Sequence, residues 1–354
     1  MSKIRVGVNG YGVIGKRVAD AVALQPDMEL VGIADVVTDW RIQSAAGRFP
    51  LFASTDEARE AMGRAGLSVA GGLEDLLGQV DVIADTTPKH VAAVNLPRYR
   101  EAGVKVILQG GEAHETTGHS FVAQANFDSA LGRDMTRVVS CNTTSIVRVL
   151  GALQDAGLLA KARGVLIRRA TDPWESHLGG IMNTMVPEPK IPSHQGPDAQ
   201  TVLPGLDLVT IAAKGAHTQT HNHYWTLQLT RAASREEVLA ALRAAPRIAF
   251  IRMADGLVAL NSTIELMKDL GRPRGDMWEV AVWEDLVTVQ GDEAFLTYQV
   301  YNEAIVVPET IDAIRALTET APNAAASMKI TDSTLGMRKD FLTENVPALP
   351  GDHP

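Results

Sequence analysis

The sequence predicts an α/β protein: a doubly wound parallel sheet, followed by a second, α+β domain built on a mixed or antiparallel sheet. Three observations carry this expectation. Near the N-terminus an apolar run, Ile4 to Asn9, empties into Gly10-Tyr11-Gly12-Val13-Ile14-Gly15. The helical stripe Val13, Ile14, Val18, Ala21 and Val22 follows, and strands and helices then alternate to about residue 140. Beyond residue 160 strand-like segments cluster with only one or two helices between them, which favours a mixed or antiparallel sheet. Finally, 354 residues with 45% hydrophobic and 21% charged side chains are enough for two ordinary cores, which excludes a disordered or fibrous chain.

Each glycine of the first turn has a physical role in such a context. Gly10 permits the tight turn, Gly12 lets a pyrophosphate approach the backbone, and Gly15 allows the helix to pack close to the strand. The helix N-terminus then faces the phosphates of a dinucleotide, with Val13 and Ile14 in its first turn. A second strand, Glu29 to Ala34, leads to Asp35, about twenty residues past Gly15, where a carboxylate accepts hydrogen bonds from ribose hydroxyls and repels a 2′-phosphate. The expectation is therefore a Rossmann domain binding NAD, with NADP as the second choice. Val80 to Asp85 is read as a strand ending in Thr86-Thr87-Pro88-Lys89, and Val104 to Gln109 as another ending in Gly110-Gly111. Thr87 and Gly111 thus lie at the carboxyl ends of strands, where ligands of open parallel sheets sit.

The only cysteine, Cys141, lies in Val138-Val139-Ser140-Cys141-Asn142-Thr143-Thr144, and Ile146, Val147, Val149, Leu150 and Leu153 follow at helical spacing. This places the thiol at a helix start, where the partial positive charge favours the thiolate nucleophile. Gly164 to Ala170 is read as a strand carrying Arg168 and Arg169, whose side chains point to opposite faces. A Pro- and Gly-rich excursion from Glu175 to Pro204 contains Ser193-His194-Gln195-Gly196-Pro197-Asp198, a stiff loop of hydrogen-bonding groups suited to lining a site. His221 and His223, two apart, share one face of a strand; with His217 they are the candidate bases for the thiol. They lack the third and fourth groups of a zinc site, so no metal is expected. A surface helix from Glu236 to Ala245 is expected, then strands at Ile248 to Met253, Met277 to Asp285 and Glu293 to Gln299. A further helix is introduced by Pro308, and a loose tail runs over 341–354.

A formal charge of −9 argues against nucleic-acid or anionic-membrane binding. One cysteine suggests a reducing compartment; no signal peptide or membrane-length apolar run is found, so a cytoplasmic location is expected.

Taken together, Asn9 to Ala21, Leu108-Gln109-Gly110-Gly111-Glu112, Val138 to Thr144, Arg168-Arg169-Ala170, Pro192-Ser193-His194 and Gly196-Pro197-Asp198 resemble the archaeal-type (type II) phosphorylating glyceraldehyde-3-phosphate dehydrogenases over residues 1 to about 340. The resemblance implies a homotetramer with a cofactor domain over 1–139, a catalytic domain over 140–304 and a helical segment over 305–340 returning to the first. It implies that Val13, Ile14, Gly111, Arg169 and Asn302 lie against the cofactor. Ser140, Cys141, Asn142, His194 and the following Gln195 would meet the substrate, a phosphorylated aldehyde that reacts with inorganic phosphate. Thr143 and Arg168 are further substrate-side candidates, Arg168 or Arg169 being suited to a carboxylate if the substrate is a semialdehyde. By position, His221 is preferred over His223 as the base. In this chain Gln195 stands where relatives usually carry a second histidine, and Ser145 where they carry glycine; both bear on the aldehyde accepted. A related semialdehyde dehydrogenase and a non-catalytic NAD sensor are the alternative readings.

Overall fold

The computed structural model describes residues 2–109 and 111–342; Gly110 and the expected tail beyond Leu342 lie outside the described residues. The chain divides into two compact units, Met1–Ser140 with Val306–Leu335, and Cys141–Ile305 with the residues from Gly336 onward.

The first unit holds an eight-stranded sheet of β1 (Ile4–Asn9), β2 (Met28–Asp35), β3 (Leu51–Ala53), β4 (Gly71–Gly72), β5 (Val82–Asp85), β6 (Lys105–Leu108), β7 (Ser120–Phe121) and β8 (Met135–Val138). Their order is β4-β3-β2-β1-β5-β6-β8-β7, and every pairing is parallel. Strand order reverses between β1 and β5, which makes the carboxyl ends of these two strands the natural ligand crevice. Leu76, Ile83, Leu96, Tyr99 and Val106 are buried together beside this sheet. Two later helices, Val306–Leu317 and Ala324–Thr334, also belong to this unit. Arg315, fully buried, pairs with Asp27 at 2.7 and 2.8 Å and donates to Gln25 Oε1 at 2.7 Å. A buried guanidinium needs such complete pairing, because an unpaired one costs several kcal/mol (about 3–5).

The turn after β1 shows why its glycines are needed. Gly10 has φ +94°, open to glycine but strained for other residues. A Cβ on Gly15 would lie 1.8 Å from the Gly10 carbonyl oxygen, so the helix Val13–Ala23 reaches the strand only because no side chain intervenes. Around Gly12, by contrast, nothing lies within 4 Å of an added Cβ.

The second unit carries β9 (Leu159–Arg168), β10 (Val186–Pro187), β11 (Leu208–Lys214), β12 (His221–Leu229), β13 (Ile248–Ile251), β14 (Val280–Trp283), β15 (Thr288–Gln290) and β16 (Glu293–Val300). The order is β10-β11-β9-β12-β16-β14-β13, with β15 on β16. Antiparallel β9–β12, β12–β16 and β14–β16 pairs coexist with parallel β9–β11 and β13–β14 pairs, giving the mixed sheet expected from sequence. Several boundaries differ from the sequence expectation. β9 starts at Leu159 and stops at Arg168, while β13 and β14 are shorter than their apolar runs because 3-10 turns take over at Met253–Asp255 and Glu284–Leu286. β11 was not expected, since its Leu-Val-Thr-Ile-Ala-Ala-Lys lies just after a long polar excursion. The helix Cys141–Asp155 buries Ile146, Val147, Val149, Leu150 and Leu153, and the fully buried Arg148 donates to the carbonyls of Trp278 at 2.8 Å and Ile305 at 3.1 Å.

The contrast between the two glycines is testable. Gly15→Ala should disrupt the turn and lower thermal stability, whereas Gly12→Ala, at an extended backbone position with φ −79°, should stay within about 0.5 kcal/mol of wild type while weakening dinucleotide binding. Thermal melts and cofactor titration of both variants check this.

Candidate active site

At the carboxyl end of β1 the helix Val13–Ala23 begins at Gly12 with no side-chain cap and no acidic residue in its first turn. Its first N–H groups are thus left for an external acceptor, and the absence of a Cβ at Gly12 leaves room for one. These features fit a pyrophosphate. Asp35, at the end of β2, accepts from the backbone N–H groups of Tyr11 (2.5 Å), Val36 (2.6 Å) and Val37 (3.1 Å), so it organises the turn as well as offering a carboxylate beside it. Thr87 turns its hydroxyl to Asp85 at 2.5 Å, and Asp85 also accepts from Asn95 (3.1 Å) and Tyr99 (2.6 Å). This buried network, which extends through Asn9 to Ser54, was not read from the sequence, because its polar members are scattered among apolar strands. Gly111 has φ +82° with open space around it.

In the second unit Cys141 is the first residue of its helix and is half-buried. Its Sγ lies 3.5 Å from Nε2 of His221, while Nδ1 of that ring accepts the backbone N–H of Arg169 at 3.0 Å. A backbone amide only donates, so Nδ1 carries no hydrogen, and the hydrogen of the neutral ring sits on Nε2, directed at sulfur. His223 is engaged elsewhere: Nε2 meets Asn142 Oδ1 at 2.8 Å and Nδ1 meets the Tyr298 hydroxyl at 3.0 Å. The pairing of His223 with Tyr298 in the β12–β16 register accounts for that contact. His217, half-buried, lines a cavity of about 380 Å³ with Asn222 and Tyr224, which alternate with the two buried histidines along β12. Thr143 donates to Asp198 at 2.7 Å and Ser145 to the Asn142 carbonyl at 2.7 Å, fixing the first turn of the helix. Ser140 directly precedes the thiol in the chain.

The two arginines diverge. Arg169 pairs with Asp172, reaches Glu303 at 3.9 Å and donates to the Thr171 carbonyl at 2.7 Å; the neighbouring candidate Asn302 is buried. Arg168 pairs with Glu188, which also meets His194 Nδ1 at 3.2 Å and Gln195 Nε2 at 3.4 Å. Glu188 was missed from sequence. It sits between prolines in a stretch whose composition reads as surface loop, and only the folded chain brings it to Arg168.

The comparisons with known proteins follow the same division. Residues 4–143 match the family model for dihydrodipicolinate reductase, N-terminus, and residues 140–285 that for glyceraldehyde 3-phosphate dehydrogenase, C-terminal domain. The glyceraldehyde-3-phosphate dehydrogenase of Methanococcoides burtonii is 44% identical over 339 residues, 95% of this chain and 100% of the relative. That of Archaeoglobus fulgidus is 43% identical over 343 residues, 96% and 100% of the two chains, and that of Pyrobaculum calidifontis 47% over 336 residues, 94% and 97%. The chain belongs to the archaeal-type glyceraldehyde-3-phosphate dehydrogenase family. Membership implies an oxidoreductase that uses a nicotinamide cofactor.

For a member of this dehydrogenase family the state of the thiol matters, and here the expectation from sequence needs correction. Burial pushes the Cys141 thiol above its usual range; Arg169, Arg168 and the N–H groups of Asn142 and Cys141 pull the other way without prevailing. Desolvation of the sulfur thus outweighs the helix terminus. Burial, reinforced by Arg169, likewise holds His221 well below the usual imidazole range, and burial brings His223 down to about 3. Both shifts favour neutral rings beside a protonated thiol in the free protein. Alkylation of Cys141 in the free protein should accelerate steadily as pH rises through the alkaline range, because the thiolate fraction grows there. A pH-independent plateau between pH 6 and 8 in the iodoacetamide rate would contradict this.

Proposed function

We propose that this chain oxidises glyceraldehyde 3-phosphate, with inorganic phosphate, to 1,3-bisphosphoglycerate through a thioester on Cys141, in glycolysis or gluconeogenesis. The observation that carries the proposal is the 3.5 Å approach of Cys141 Sγ to the Nε2–H of His221 at the start of a helix, in a chain of this family. The thiol first loses its proton to solvent, and the Nε2–H group of His221 hydrogen-bonds the thiolate. Attack on the aldehyde carbon forms the C–S bond and moves the carbonyl π pair onto oxygen. The same N–H stabilises this alkoxide, the task of an oxyanion donor. When bound, the nicotinamide ring supplies the acceptor for the hydride that leaves as the carbonyl re-forms. Phosphate then attacks the thioester, the C–S bond breaks, and the acyl phosphate leaves with the thiolate regenerated. His221 was assigned as base on sequence grounds; the hydrogen bond on its Nδ1 favours a donor. His223, held by Asn142 and Tyr298, supports the helix start instead.

In this reading Ser140, Asn142, Thr143, Arg168, His194 and Gln195 face the substrate. Gly10, Gly12, Val13, Ile14, Gly15, Asp35, Thr87, Gly111, Arg169 and Asn302 serve the cofactor. NAD is the preferred form, since a 2′-phosphate would meet the charge of Asp35. A homotetramer is proposed as well. Val165, Ile211 and Tyr224 are 43%, 45% and 49% exposed and adjacent in register across three neighbouring strands, an apolar stripe suited to a second copy. No helix among the described residues is long and apolar enough to cross a membrane, and a cytoplasmic site of action is proposed.

The test is a panel of phosphorylated and unphosphorylated aldehydes assayed for phosphate-dependent reduction of NAD and NADP. Cys141→Ser should abolish turnover while sparing NAD binding, since a neutral hydroxyl is a far poorer nucleophile. His221→Asn should slow single-turnover hydride transfer by about 10²-fold or more, while His223→Asn should act mainly on stability. Retained turnover in the serine variant, or the opposite ranking of the histidines, would overturn the assignments.

Cofactor choice has its own test. Asp35→Asn keeps an acceptor for the Tyr11 amide but removes the charge, and the ratio of kcat/KM for NADP over NAD should rise about tenfold. A wild-type enzyme that already favours NADP would refute the reading of Asp35.

A further inference from the structure

The loop that follows β10 places a carboxylate where an anionic substrate would be received. Glu188 donates its backbone N–H to the Ala212 carbonyl at 2.8 Å, which ties the loop to β11, and its side chain is only 17% exposed. One carboxylate oxygen takes the Arg168 guanidinium and, at 3.4 Å, the Gln195 amide; the other faces His194 Nδ1 at 3.2 Å. Arg168 in turn lies within electrostatic reach of Cys141. Thus one guanidinium nitrogen of Arg168, the Gln195 amide N–H and His194 Nδ1 are all engaged by Glu188 within the protein itself.

Two atoms of the cradle are left over. Among the described residues, Arg168 Nε and Gln195 Oε1 are buried without a hydrogen-bond partner, and Gln195 is wholly inaccessible. Nε is a donor and Oε1 an acceptor. Their complement is an oxyanion carrying its own O–H, as hydrogen phosphate or a phosphate monoester beside a hydroxyl does. Such a ligand competes with Glu188 for the same guanidinium, and at ion-pair spacing the two anions repel each other in a partly buried site.

We propose that Glu188 is the specificity-determining residue of this site: an internal counter-ion that occupies the Arg168, His194 and Gln195 cradle and must be displaced before a phosphate group can bind. The proposal rests on the reading that these three residues face the substrate, and it adds the element that sets how strongly phosphorylated and unphosphorylated aldehydes are distinguished. Glu188 is a positioning residue here, since it acts through Arg168.

The experiment uses the full-length enzyme and sn-glycerol 3-phosphate as an unreactive probe, titrated by calorimetry at fixed ionic strength. Glu188→Gln should tighten binding about tenfold or more, because the competing charge is gone while the shape is kept. Glu188→Asp, which retains the charge, should bind like wild type, and Glu188→Asn should tighten binding as Glu188→Gln does. In kinetics, the KM for glyceraldehyde 3-phosphate should fall in the neutral variants with that for glyceraldehyde unchanged. Weaker or unchanged probe binding in the neutral variants, or equal KM changes for both aldehydes, would overturn the proposal, since a purely structural Glu188 predicts those results. An enzyme that oxidises no phosphorylated aldehyde would sink the proposed activity and leave the probe-binding ratio to decide on Glu188 separately.

Discussion

The antiparallel pairing of β9 with β12 is the constraint on which the thiol site depends. Its register sets Asn222 opposite Ile167 and His223 opposite Leu166, so His221 enters beside the end of β9 and meets the Arg169 amide there. A one-residue slip would turn both histidines to the opposite face of the sheet. Register is held by apolar burial along the same strands, with Leu166, Trp225 and Leu227 inaccessible or nearly so. The approach of His221 to Cys141 and the core packing are therefore specified by the same ladder.

The electrostatic character of the site follows from that burial. A thiol and two imidazoles beside two arginines resist gaining charge, and the structure meets this with neutral hydrogen bonds instead of ion pairs at the sulfur. Cationic charge is not absent but is balanced nearby, by Glu188 on Arg168 and by Asp172 and Glu303 on Arg169. Net compensation of this kind keeps the folded enzyme stable, because an uncompensated buried charge is among the costliest features a protein carries.

Much of this was legible in the sequence. The alternation from Ile4 onward gave the parallel sheet, because periodicity and glycine spacing are local signals. The lone cysteine before a helical stripe marked the helix start at Cys141 for the same reason. What was not legible is pairwise and distant. Cys141 and His221 are 80 residues apart, and Glu188 meets a guanidinium 20 residues upstream, so neither contact leaves a trace in local spacing. The sign of the thiol's shift was also out of reach, since it depends on how much water the folded chain removes from sulfur, a quantity that the helix-terminus argument omits. β11 escaped because its short apolar run lies after a Pro-rich segment, where turn chemistry dominates the local reading.

The return of Val306–Leu335 to the first unit carries a consequence for biosynthesis. Asp27 and Gln25 emerge early from the ribosome, yet their partner Arg315 follows nearly three hundred residues later, at separations of 288 and 290. At about 5–20 residues per second, the 165 residues of the intervening 141–305 segment take roughly 10–30 s to make. Throughout that interval the parallel sheet lacks its last helices, with the surface they cover open to solvent, while the mixed sheet is still being synthesised. The nascent chain thus passes through a window in which its earliest-made unit, though first to emerge, still waits for its closing helices.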